Sequence, residues 1–118
     1  MISTLIAFVL AQAATGTQLP SVDPKAVSAI QIWGRCVQEK SIKLEPSGAS
    51  PDDIFDAAKT ACASEHSDAL IALIDDIGRT HDQAETARIA LGMLDFSEST
   101  GRDEARLKIL EIRAGRNR

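Results

Sequence analysis

Two cysteines, Cys36 and Cys62, constrain this chain more than any other feature, because each lies in a run of helical periodicity and a proline-bounded loop separates the runs. Before the loop, Val27, Ile30, Trp33 and Cys36-Val37 recur every three to four residues, one face of a helix. Asp23-Pro24 opens that helix, the carboxylate capping free N–H groups and the proline sitting where its missing donor costs nothing. Glu45-Pro46-Ser47-Gly48-Ala49 reads as the loop. Ser50-Pro51-Asp52-Asp53 starts a second helix, with a serine cap and two acids at the positive end of the helix dipole. Its stripe runs through Ile54, Ala58, Ala61-Cys62, Ala69-Leu70 and Leu73-Ile74 to Ile77, then meets Gly78. At 1.5 Å per residue, Cys36 lies roughly 12 Å before the first helix ends near Leu44, and Cys62 roughly 16 Å after the second begins. Antiparallel helices would bring both sulfurs to nearly the same height, within reach of a disulfide. The alternative is two free buried thiols acting as small hydrophobes.

Beyond Gly78, Thr80 with Gln83 forms a capping box for a third helix carrying Ala84, Ala87, Ala90-Leu91 and Leu94. Ser97-Glu98-Ser99-Thr100-Gly101 interrupts the pattern, and Thr100 with Asp103 starts a fourth helix bearing Leu107, Ile109, Leu110 and Ile112. Residues 107–112 also partly resemble a strand, but their Ala, Arg and Glu neighbours favour helix and a strand here would have no partner. After the opening segment the aromatics are only Trp33, Phe55 and Phe96, so the interior is built from Ala, Leu, Ile and Val, which suits close helix packing. The expected fold is all-α, a three- to four-helix bundle with a disulfide-linked N-terminal helical hairpin. It occupies residues 23–113, after a flexible lead-in over 14–22 and before a basic tail over 114–118.

The first thirteen residues decide the compartment. Leu5-Ile6-Ala7-Phe8-Val9-Leu10, ending in Ala11-Gln12-Ala13, reads as a signal peptide over residues 1–13. No Lys or Arg precedes the apolar run, and the alternative is a short buried helix in a cytosolic protein. The run is shorter than the ~20 residues that span a bilayer, so no stable membrane span is expected after cleavage. A periplasmic or secreted location is oxidising, which favours the disulfide over free thiols.

Seventeen acids against thirteen bases leave a net charge of −4, which argues against general nucleic-acid binding. The charge is also segregated: residues 45–98 carry twelve acids and three bases, residues 102–118 six bases and three acids. The basic end, through Arg102, Arg106 and Arg113, and the lone Trp33 are the expected contact residues for a cell-envelope protein partner. A solvated acidic face, with a basic end that keeps the protein soluble or folds back on that face, is the plainer reading. Trp33, one turn before Cys36, is expected to cover the disulfide, with a partner hot spot as the alternative.

Reaction chemistry is poorly provided for. The cysteines lack the Cys-x-x-Cys spacing of a redox pair, and two distant cysteines with two histidines make no zinc set. His66 follows Cys62 at i+4, so a Cys-His nucleophile is conceivable, yet no orienting third residue can be named. His81-Asp82 with Asp75-Asp76 could hold a divalent cation weakly, although acids near helix ends are common for dipole reasons alone. Adjacent carboxylates on a helix point about 100° apart, unlike an acid-base pair. No Gly-rich phosphate loop occurs. The expectation is a non-enzymatic protein without cofactor or metal, acting by protein contact. The alternative binds a small ligand or metal in a gap between helices near His66 and His81.

The residues Trp33-Gly34-Arg35-Cys36, Ser47-Gly48 with Ser50-Pro51, and Ala57-Ala58 with Ala61-Cys62 resemble the pattern of small exported helical proteins of Gram-negative bacteria that carry one cysteine pair. The resemblance covers roughly residues 26–75. It implies a periplasmic, disulfide-linked helical hairpin and carries no activity or site residue.

Overall fold

The structure, a computed structural model, describes residues 22–116. The expected signal peptide, most of the lead-in and the last two residues lie outside the described residues. Four α-helices make up the fold, and no strand occurs among the described residues. Helix α1 (Pro24–Leu44) opens as its sequence predicts: the Asp23 carboxylate accepts from the Lys25 N–H at 2.9 Å and Pro24 takes the first position. A single 3-10 turn, Glu45–Ser47, follows, and Gly48 turns the chain at φ 77°, where a side chain would be strained. Ser50 caps α2 (Pro51–Ala61) by accepting from the Asp53 N–H at 3.1 Å.

The second expected helix is divided. Cys62, at φ −105° and ψ 25°, ends α2 and begins α3 (Ala63–Ile77), so the run from 51 to 77 is two helices joined at the cysteine. A straight rod of that length would extend about 40 Å in one direction. Breaking it at Cys62 lets both halves pack against α1.

The two expected helices beyond Gly78 are instead one, α4 (Gln83–Arg116), 34 residues long and continuous through Ser97–Gly101. The Ser, Thr and Gly residues there cost the helix up to about 1 kcal/mol each, but tertiary contacts outweigh propensity. The Gly101 carbonyl accepts from Gln38 Nε2 at 3.0 Å, and a Cβ at Gly101 would touch the Phe55 ring at 3.8 Å. Arg102 lies over that ring, 4.6 Å from its centroid. The cap is also displaced from Thr80: Asp82 accepts from the Glu85 N–H through Oδ1 at 2.8 Å and from the Thr86 N–H through its carbonyl at 2.9 Å. Residues 107–112 are helical, and the helix runs on through 114–116 into the segment expected as a tail.

α1 lies against each of the other three helices. Small buried residues, Ala58, Ala69, Ala90 and Ala105, let the backbones approach, and Trp33, Phe55, Leu73 and Ile109 fill the space between them. The molecule is only 19 Å thick against 50 Å long, about two helix diameters, which leaves much of each helix facing solvent.

Candidate functional site

Cys36 and Cys62 form the expected disulfide, with Cα atoms 6.0 Å apart. α1 supplies the first from mid-helix and the α2–α3 joint supplies the second. Cys62 is fully buried and Cys36 partly so. Both sulfurs are in the bond, so neither is a thiol for His66 to activate. Instead the His66 ring meets the Trp33 ring edge to face, centroids 4.9 Å apart. A carboxylate oxygen of Glu65 lies within 4.8 Å of both sulfurs, and Glu65 Oε2 is buried with no hydrogen-bond partner among the described residues. A disulfide sulfur has neither charge nor proton to offer that oxygen.

The basic end is occupied by the protein's own acids. Arg102 pairs with Asp56 at 2.8 Å and with Asp52 at 3.3 Å, and Arg106 reaches Asp52 at 2.8 Å. Hydrogen bonds from Arg106 and then Arg102 hold the Asp52 carboxyl below the usual range, while the Asp56 carboxylate raises Arg102 further. Arg113 donates to the Ala49 carbonyl at 2.6 Å and to the Glu45 carboxylate at 3.4 Å. Arg116 also reaches Glu45, at 3.2 Å through Nη1. Glu45 is 1% exposed, and its carboxyl is lowered chiefly by the Arg116 hydrogen bond and further by Arg113. Of the two courses open to the basic end, the structure therefore has the folded-back one, onto Glu45, Asp52 and Asp56.

His66 and His81 are not brought together. His81 Nδ1 is engaged by Thr80 Oγ1 at 2.9 Å and the Ile77 carbonyl at 3.2 Å, and the ring lines a separate cavity beside Ile74 and Thr86. Asp76 accepts from the Asp23 N–H at 2.8 Å and faces Arg79, and among the described residues no group of three metal-ligating side chains gathers at His81.

What the structure does assemble is a pair of cavities that both include Trp33 and Glu98. The first, about 330 Å³, lies between α1 and the middle of α4 over an apolar floor of Ile30, Trp33, Val37 and Phe55, with Phe96 at its edge. Phe96 is 74% exposed. The second, about 310 Å³, is more polar: Lys59, Thr60 and Ala63 of the α2–α3 segment and His66 face Trp33 and Glu98. Lys59 Nζ contacts Glu98 at 2.8 Å, and Thr60 donates to the Asp56 carbonyl at 3.1 Å. Trp33, 3% exposed, keeps its indole Nε1–H buried without an acceptor among the described residues.

Sequence reasoning singled out Trp33 but not Lys59, Phe96 or Glu98. These residues meet only because α4 continues unbroken through the segment expected to interrupt it, and no periodicity signals that. Comparison with known proteins finds no family model, curated protein or solved structure that matches the chain.

Proposed function

We propose that this is a small exported, non-enzymatic helical binding protein, a bundle whose opening helices are clamped by the Cys36–Cys62 bond, which holds a small, largely apolar molecule between α1 and α4. The observation that carries the reading is the pair of cavities sharing Trp33 and Glu98, each in the size range of small-molecule sites and one of them walled mainly by apolar side chains. Contact with an envelope protein through Arg102, Arg106 and Arg113 would first have to break their pairs with Asp52, Asp56 and Glu45. The disulfide is compatible with export, and no described helix is long and apolar enough to cross a membrane. Trp33 is the only tryptophan and the chain has no tyrosine, so its emission reports on the cavities directly. A panel of apolar small molecules is expected to shift that emission and to raise the melting temperature together. If no member does either, the reading is wrong.

Protein contact is the second reading, favoured by Leu107 and Leu110, 62% and 49% exposed on α4. It requires that Leu107→Glu with Leu110→Glu lower the cross-linking of an envelope protein to the exported chain. Unchanged cross-linking would exclude that face.

A further inference from the structure

We infer that, once the disulfide is reduced, the joint between α2 and α3 is a zinc-type metal site whose protein ligands are the Cys36 and Cys62 thiolates and the Glu65 carboxylate. None of the three residues lines either cavity, so the site is independent of the small-ligand reading. Glu65 stands in the first turn of α3, three residues after Cys62, where a glutamate ordinarily reaches back to the N–H of the capping residue. Here that N–H is already donated to the Ala58 and Lys59 carbonyls, at 3.0 and 3.1 Å. Glu65 instead brings an oxygen within 4.8 Å of both sulfurs, and its Oε2 is buried with no partner among the described residues. A first-turn acid serves the helix dipole equally well in water, so the dipole gives no reason for burying an oxygen at a cost of about 1–3 kcal/mol. Ligands about 2.0–2.3 Å from a tetrahedral zinc ion stand roughly 3.5–3.8 Å apart, so after the S–S bond opens, shifts of about an ångström complete the site. A dithiol donor opens it: the donor becomes a disulfide, and its two electrons and two protons leave Cys36 and Cys62 as thiols. Metal binding then releases those two protons to solvent, with water in the fourth position. Cys62 is fully buried, but Cys36 and Glu65 are partly exposed and give the reductant and the ion their approach. Two thiolates with one carboxylate suit zinc, which takes sulfur and oxygen together. Calcium and magnesium prefer oxygen alone, and copper(I) gains little from the carboxylate.

The test uses the full chain, reduced by a phosphine that is then removed without air, and cobalt(II) as a coloured stand-in for zinc. The reduced protein is expected to bind one cobalt ion with thiolate charge-transfer and tetrahedral d–d bands, and zinc should displace it. The oxidised protein should show neither band. Glu65→Gln keeps the size of the side chain and both thiols, and should weaken cobalt binding about a hundredfold, since even a residue that only orients a ligand is worth roughly 10–100-fold. Cys36→Ser should lose the bands. If reduction alone unfolds the chain, zinc should restore its helical circular dichroism, and failure to do so refutes the site, as would absent bands in a folded reduced chain. Equal affinity in Glu65→Gln and the parent chain, or equal binding by the oxidised protein, would also overturn it. The small-ligand reading, tested on the oxidised chain, is untouched by any of these results.

Discussion

Reducing the Cys36–Cys62 bond perturbs one interaction and leaves composition intact, so its effect can be worked out from the structure. The bond joins residues 26 apart. Chain-entropy reasoning assigns a closed loop of that length about 3.5 kcal/mol of stabilisation, through the freedom removed from the unfolded chain. The folded state contributes a smaller opposing effect. Glu65 Oε2 is buried without a partner among the described residues, and a Glu65 oxygen lies within 4.8 Å of two sulfurs that carry no proton while bonded. Reduction supplies an S–H donor there, recovering on the order of 1 kcal/mol. The net loss on reduction is therefore about 2.5–3.5 kcal/mol. Unfolding entropies of about 2.1 cal/mol/K per residue convert this, for a domain of this size, to a fall in melting temperature of roughly 12–17 °C. Calorimetry of the oxidised and reduced protein at one pH measures it. Glu65→Ala removes the unpartnered oxygen and should widen the gap between the two forms towards the full entropic value. A fall below about 4 °C on reduction would refute the loop-entropy argument, and an unchanged gap in Glu65→Ala would refute the role given to the orphaned oxygen.

The remaining expectations concern the long helix and its anchor. Gly92 lies within α4 with nothing within 4 Å of where a Cβ would stand, so Gly92→Ala should stabilise by about 1 kcal/mol in urea unfolding. Because Asp82 caps this helix, Asp82→Ala should cost about 1 kcal/mol and Thr80→Ala markedly less; the reverse order would restore the cap read from sequence. Arg116 and Arg113 hold the Glu45 carboxyl below its ordinary value, so its contribution to stability is complete above the unfolded carboxyl's pKa and lost as pH falls through the folded one. Asp52, lowered by Arg106 and Arg102, acts in the same direction. Glu45→Gln should accordingly flatten the acid limb of melting temperature against pH, leaving Asp52 to supply what slope remains, and an unaltered limb would show that the pair does not couple folding to pH.

Much of the fold was legible in local chemistry. Asp23-Pro24 and Ser50-Pro51 announce two helix starts because capping and the proline φ angle depend on neighbours a few residues away, and both starts are where those residues place them. The disulfide was legible too, since two helix lengths and a short loop set the heights of Cys36 and Cys62. The division at Cys62, the continuity of α4 through Ser97–Gly101 and the course of 114–116 were not. Each is decided by partners distant in the chain: Cys36 for Cys62, Gln38 and Phe55 for Gly101, and Glu45 for Arg116. The candidate site lies on that second side. Trp33, Lys59, Phe96 and Glu98 come from three separate stretches and share no spacing that marks them as a set. The sequence by itself determined helix character, the positions of the first caps and the cysteine pairing, because these follow from backbone geometry and short-range hydrogen bonding. Only the tertiary structure decided where helices bend or continue and which side chains enclose a cavity, because packing energies summed over distant contacts exceed the propensity differences, of about 1 kcal/mol or less per residue, that a local reading can weigh.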